Sequence, residues 1–141
     1  MNYRIEYDPE HEIAVVSFHG IVTESLFLEG TSAGRQFIRG SGAKSVIVDF
    51  SNAEKFDFPA EFLRKYAMST VAVLPVTSRI LVASQDSIYG LARLFQVHRD
   101  PGAPVTNVVR SLNEAYAMLG AGNPRFTLIR DSAAQSSEPE S

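Results

Sequence analysis

Residues 45–59, SVIVDFSNAEKFDFP, decide how this chain folds. Residues 45–50 form an apolar run with Asp49 near its end, which is typical of a strand covered on both faces of a sheet. The polar residues 51–57 predict a turn, and Pro59 stands at a position that favours the start of a helix. A buried strand that leads through a turn into a helix indicates an α/β protein with this strand at the centre of its sheet.

The rest of the chain alternates strands with helices. Residues 3–7 and 12–18 predict two strands joined as an antiparallel hairpin, and residues 78–83 and 105–109 predict two more. Each later strand is followed by residues with helical apolar spacing. The predicted capping residues of three of these helices are Thr23 for the first, either Ser84 or Asp86 for the third, and Ser111 for the last, and Gly40 is the predicted end of the first helix. The order β-β-α-β-α-β-α-β-α predicts a mainly parallel sheet of four to five strands, with the first strand as an antiparallel edge. A short extended piece is expected near residues 126–129.

Composition and charge limit the classes of function. The chain has 141 residues, 45% hydrophobic and 21% charged, which fits one globular domain over residues 1–130. Residues 131–141 hold three of the 16 acidic residues and no base, and their Ser-, Glu- and Pro-rich composition predicts a disordered acidic tail. The first 130 residues therefore balance 13 acidic against 13 basic side chains. Without a basic excess, we expect no nucleic-acid partner.

The sequence also indicates the cellular compartment of the protein. It has no cysteine, so disulfides and thiolate metal sites are excluded. No apolar run reaches the ~18 residues that predict a membrane span. The N-terminal residues do not combine a basic region with an apolar run, so no secretory signal is predicted. We expect a cytoplasmic protein.

Two patterns that suggest enzyme chemistry lack the context that this chemistry needs. Residues 30–34, GTSAG, match the G-x-S-x-G pattern of a serine nucleophile, but they lie inside an amphipathic helical pattern instead of between a strand and a helix. The glycines there are expected to allow close approach of the helix to the sheet. His11, His19 and His98 show no metal-ligand spacing. We therefore predict no catalytic residue, no metal and no cofactor.

Two surface features remain as candidate binding sites. Residues 84–96, SQDSIYGLARLFQ, present Tyr89, Arg93 and Gln96 at helical spacing, and Tyr and Arg are typical of interaction hot spots. An ordinary solvated helix face has the same composition. The turn from Ser51 to Asp57 is expected at the carboxyl ends of the parallel strands, where open α/β sheets tend to bind their ligands.

Residues 3–120 resemble the STAS-like family, the fold of bacterial anti-sigma-factor antagonists, and more closely the small stand-alone bacterial proteins grouped as STAS/SEC14-like. The resemblance is carried by the N-terminal hairpin, by residues 46–51 (VIVDFS) and by residues 89–96 (YGLARLFQ). In the antagonists, a serine at a helix start accepts a phosphoryl group, which breaks the complex with a partner. Asp57 matches the aspartate of that motif, but Phe58 and Pro59 stand where the antagonists have serines.

The resemblance implies a regulatory module that binds another protein, or a second copy of itself, without the phosphorylation switch. Its SEC14-like side implies, as the alternative, a module for a small apolar or lipid-like ligand. Such a ligand would need a cavity of about 300 Å³ or more at the carboxyl edge of the sheet. The aromatic residues expected to line it, which core packing explains equally well, are Phe56, Phe58, Phe62 and Tyr66.

Overall fold

The computed structural model describes residues 1–69, 75–97 and 105–133, which are built on a six-stranded sheet. The strands are β1 (Asn2–Asp8), β2 (Ile13–Thr23), β3 (Ser45–Asp57), β4 (Ser78–Val82), β5 (Val105–Val109) and β6 (Thr127–Asp131). Across the sheet they lie in the order β5-β4-β3-β2-β1-β6. Strands β2 to β5 are parallel neighbours, and β1 is antiparallel to both β2 and β6. The predicted mainly parallel α/β fold is confirmed.

In the part of the chain that the structure describes, four helices cover the two faces of the sheet: α1 (Glu24–Ser41), α2 (Ala60–Met68), α3 (Asp86–Val97) and α4 (Leu112–Met118). The first three share one hydrophobic core with the strands, and α4 packs on the opposite face through the fully buried Ala115. Consecutive residues of β3 alternate between these cores, with Val46 on the α1–α3 side and Ile47 on the α4 side. Residues 45–50 are therefore covered on both faces, as their apolar run predicts.

No helix in the described ranges is both long and apolar enough to cross a membrane.

Local capping signals explain where two of the helices begin and where one ends. The Thr23 hydroxyl oxygen accepts the Leu26 N–H at 3.1 Å, and the Ser111 hydroxyl oxygen accepts the Glu114 N–H at 3.2 Å, so both predicted caps are confirmed. The first helix ends beyond the predicted Gly40. Its last turn is closed by Gly42, whose φ of 74° suits glycine and whose N–H donates to the Ile38 carbonyl at 3.0 Å.

The predicted turn over residues 51–57 is wrong, because β3 continues through all of them. This part of β3 pairs with the last residues of β2, from His19 opposite Asn52 to Thr23 opposite Asp57. Strand β1 reaches only His19, and β4 pairs with β3 only as far as Asp49, so from Gly20 and Ala53 onward β2 and β3 form a ribbon beyond the rest of the sheet. The ribbon buries Ala53 and half-buries Phe56, while its polar residues face solvent. The polar run that suggested a turn is the exposed side of a strand.

The N-terminal strand is not at the edge of the sheet, and the sheet has one strand more than predicted. The extended piece expected near residues 126–129 pairs with β1 as β6 and takes the edge position. The predicted tail boundary at residue 131 falls inside this strand. Asp131 accepts from Arg4 Nε at 3.0 Å, and the Ser132 hydroxyl oxygen accepts the Tyr3 N–H at 2.8 Å, which ties both residues to β1. Residues 134–141 of the predicted tail lie outside the described residues.

Candidate functional site

The start of α3 lies at the carboxyl edge of the sheet, beside the ribbon. Strand β4 ends at Val82, α3 begins at Asp86, and the amide of Gln85 between them donates to the Ala53 carbonyl of β3 at 2.7 Å. On the other side, Arg110 directly follows β5 and its Nη1 lies 2.7 Å from Asp86 Oδ1. The first turns of α3 are therefore held between β3 and the end of β5.

Tyr89 of this helix lies beside two guanidinium groups, one from Arg93 on the same helix and one from Arg110 after β5. The Arg110 guanidinium carbon lies 3.9 Å from the centroid of the Tyr89 ring, and that of Arg93 lies 6.0 Å from it. Such cation–π contacts hold an aromatic ring in place with about 0.5–1 kcal/mol each at an exposed site. Tyr89 is half-buried and packs against the core on its inner side, whereas Arg93 is exposed. We call Tyr89, Arg93, Arg110 and Asp86 the α3 face.

Gln96 does not belong to this face as the sequence predicted. Its side-chain amide donates to the Thr106 carbonyl of β5 at 3.0 Å, so it fixes the second half of α3 to the sheet. Helical spacing alone placed it beside Arg93, but the path of β5 turns it inward. Arg110, which sequence reasoning missed, takes its place. The available signal was its position directly after a strand, at the sheet edge where α3 begins.

Ser51 and Asp57 lie on β3 and not on the α3 face. The Asp49 carboxylate accepts both the Ser51 N–H at 2.9 Å and the Ser51 hydroxyl at 2.6 Å. Asp57 is the exposed last residue of β3, two residues before Pro59, which caps α2 without a side-chain hydrogen bond. Among the described residues, no hydrogen bond, ion pair or ring contact joins Ser51 or Asp57 to Tyr89 or Arg93.

A polar cluster on the α4 side of the sheet contains the Asp49–Ser51 pair. Burial raises the pKa of Tyr116, and the nearby Asp49 and Glu6 carboxylates raise it further. Burial, together with Arg4, lowers the pKa of His19, although three nearby carboxylates oppose this shift. The Ser17 hydroxyl lies 3.2 Å from His19 Nε2, within reach for a nucleophile and a base. Ser17 is buried, with only 5% of its surface exposed.

The G-x-S-x-G pattern has a packing role. It lies within the unbroken helix α1, where Gly30 and Gly34 are both buried. A Cβ added at Gly30 would lie 2.6 Å from Phe18 Cε1, and one at Gly34 would lie 2.8 Å from Val16 Cγ2. The expected close approach of helix and sheet is therefore what the glycines provide. His98 lies outside the described residues.

The other histidines have structural surroundings. His11 Nδ1 lies 2.7 Å from Asp8 Oδ2 in a turn between β1 and β2, and His19 lies in the α4-side cluster described above. Within residues 1–69, 75–97 and 105–133, no three His, Asp or Glu side chains are grouped so that they could hold a metal ion.

A mainly apolar cavity of about 50 Å³ lies between the sheet and helices α1 to α3. Two of the four aromatic residues predicted to line a pocket, Phe56 and Tyr66, contribute to its wall. The other two stack outside it: the Phe58 ring lies 4.9 Å from both the Phe56 and the Phe62 ring, measured between centroids. The cavity is far below the ~300 Å³ expected for a drug-sized or lipid-like ligand.

Comparison with known proteins identifies the fold. The structure matches that of the anti-sigma-factor antagonist SpoIIAA in its unphosphorylated form, with a TM-score of 0.50 and 13% sequence identity, over 86% of this chain and 99% of that one. No protein-family model matches the chain. No curated protein matches it either. The STAS-like fold expected from the resemblance is therefore confirmed by structure, at a sequence identity that shows the fold alone.

Proposed function

We propose that this chain is a non-enzymatic interaction module of STAS-like fold that binds a protein partner through the α3 face. The partner is another protein or a second copy of this chain. The observation that carries the proposal is the Tyr89 ring, which two guanidinium groups and the core hold in one place while Arg93 and Gly90 beside it are exposed. The predicted cytoplasmic location is part of the same proposal.

Two side chains of the α3 face are already held in position before a partner binds. Tyr and Arg supply much of the binding energy at protein interfaces because each offers a large surface together with a polar group. Binding costs less free energy when the side chains are already fixed, since less conformational entropy is lost. The ion pair of Arg110 with Asp86 and its contact with Tyr89 fix two such side chains before any partner arrives. An exposed glycine next to Tyr89 lets a partner approach the helix closely.

The regulation proposed here differs from the phosphorylation switch of the antagonists. Phe58 and Pro59 occupy the junction between β3 and α2, where the resemblance places the serines of the motif. Neither side chain has a hydroxyl that could accept a phosphoryl group. We therefore propose that binding through this fold is controlled by the partner or by its abundance, and not by phosphorylation at the start of α2.

Affinity capture with exposed-arginine variants tests the proposal. The tagged full chain, Arg93→Ala and Arg110→Ala are compared for the proteins that each retains after cross-linking, identified and quantified by mass spectrometry. The matched control is Arg39→Ala, which removes an exposed arginine at the far end of α1. Both α3-face variants should retain less than about a tenth of a partner held by the wild type, because a hot-spot arginine contributes ~2 kcal/mol or more. Equal retention by all four proteins would contradict the proposal.

A further inference from the structure

The cavity beneath α1, α2 and α3 combines an apolar wall with positive charge. Its volume is about 50 Å³, roughly three to five times what a single water molecule needs. Much of the wall is aliphatic or aromatic, including Val16, Val46, Phe50, Leu81 and Phe95. Two guanidinium groups, those of Arg35 and Arg79, also line it. The lining therefore combines a mainly apolar wall with two guanidinium groups.

Arg35 is the charge that a ligand could reach. It is half-buried, as are the neighbouring lining residues Thr31 and Tyr66, so this side of the cavity faces solvent. Arg35 Nη1 donates to the Tyr66 hydroxyl oxygen at 3.1 Å, a neutral partner. No carboxylate in the described part of the chain forms an ion pair with Arg35. A guanidinium beside an apolar space is a complementary site for an anion that has an apolar body.

Arg79 occupies the inner boundary and is held firmly in position. Its Nε donates to the Thr106 hydroxyl oxygen at 3.2 Å, and its guanidinium carbon lies 4.4 Å from the centroid of the Phe95 ring. It is 3% exposed, so it forms part of the buried inner wall of the cavity.

We propose that the cavity binds a short aliphatic carboxylate, with the carboxylate against Arg35 and Tyr66 at the rim and the alkyl chain inside. The volume favours a chain of a few carbons over a lipid tail, and the mainly apolar wall that the described residues form favours an alkyl chain over a sugar. The site is separate from the α3 face, and this proposal stands independently of partner binding.

A titration with three ligands of equal length tests the proposal. Butyrate, n-butanol and n-butylamine differ in charge but hardly in shape, and each is added to the full chain while the ¹³C methyl signals of Val46 and Leu81 are followed by NMR. Butyrate should shift these signals saturably and bind at least about tenfold more tightly than n-butanol, because hydrogen bonds to a charged group stabilise by more than a factor of ten. n-Butylamine should not saturate. Absence of saturation with butyrate, or equal affinity for all three, would overturn the proposal.

Two variants and a control locate the binding. Arg35→Gln should weaken butyrate binding at least about tenfold, whereas Arg39→Gln, an exposed arginine one helical turn further along α1, should leave it unchanged. Ala92 lines the cavity, so Ala92→Val should weaken butyrate binding while the protein melts at a higher temperature, which a merely misfolded variant would not do. Equal butyrate affinity in Arg35→Gln and Arg39→Gln would place the binding elsewhere and refute the assignment.

Discussion

Replacing Gly30 of α1 by alanine tests the packing of helix against sheet on which the fold depends. A Cβ at this position would lie 2.6 Å from Cε1 and 2.7 Å from Cζ of Phe18, and 3.2 Å from Tyr3 Cβ. Carbon atoms pack favourably at about 3.5–4.0 Å, so the helix or the ring would have to move by about 1 Å. Phe18 cannot easily yield, because it is 0% exposed and its ring stacks on those of Phe27 and Phe50 at centroid distances of 5.9 and 5.5 Å.

Two opposing effects determine how much Gly30→Ala changes the free energy of unfolding. Overpacking a well-filled core costs about 1–3 kcal/mol, and the rigid surroundings of Phe18 place Gly30→Ala at the upper end of that range. The helix gains about 1 kcal/mol from replacing glycine by alanine. We therefore expect Gly30→Ala to lower the free energy of unfolding by about 2 kcal/mol. Gly40 in the same helix has no atom within 4 Å of an added Cβ, so Gly40→Ala should raise it by about 1 kcal/mol.

Urea unfolding of the two variants and the wild type measures this difference of about 3 kcal/mol as a shift of the midpoint at constant slope. A smaller side chain at position 18 should relieve the clash, so Gly30→Ala should lower the free energy of unfolding less in a Phe18→Leu background than in the wild type. If Gly30→Ala and Gly40→Ala stabilise the protein equally, the close contact of α1 with β2 described above is wrong.

Three further predictions concern other parts of the fold. Burial alone would raise the pKa of Asp8, but hydrogen bonds from His11 and from the backbone of Arg125 lower it. As the pH falls, the unfolded chain therefore binds the proton first, so Asp8 stabilises the fold above its ordinary pKa of 3.8. This stability is lost as the pH falls through the lowered pKa. Asp8→Asn should lower the free energy of unfolding, measured with urea, by about 2 kcal/mol at neutral pH and by much less in acid. Ala92→Val should raise the free energy of unfolding by about 1 kcal/mol, since two methyl groups enter the cavity while some helix propensity is lost. A lower melting temperature would contradict the presence of the cavity at this position. Arg110→Gln should change the free energy of unfolding by less than about 1 kcal/mol, because the ion pair of Arg110 is largely exposed. A larger loss would mean that Arg110 stabilises the fold and does not serve a binding surface.

Much of the fold could be predicted from sequence because its signals are local. The apolar run of residues 45–50, the capping residues Thr23 and Ser111, and the alternation of strand and helix each depend on neighbouring positions, and the structure confirms all three. The glycines of α1 were also predicted to allow close packing, since they fall on the apolar side of a helical pattern.

The errors arise where distant segments decide the conformation. Residues 51–57 were predicted as a turn from their polarity, but pairing with the end of β2 makes them a strand. Strand β1 was predicted at the edge of the sheet, but β6, from the other end of the chain, pairs with it and occupies the edge. In the same way, Arg110 joins the α3 face and Gln96 leaves it because of where β5 lies, 10 or more residues away in sequence. The position of Arg110 after a strand could be read from the sequence, but its contact with Tyr89 could not.

The claim that the α3 face binds a protein partner is tested most directly by photo-cross-linking from two matched positions. Gly90 and Gly40 are both exposed helical glycines with no atom within 4 Å of an added Cβ, so a benzophenone amino acid should be accommodated at either one. Cross-links to another protein, or to a second copy of the chain, should form from position 90 and not from position 40. Equal cross-linking from both positions, or cross-linking from position 40 alone, would contradict the account.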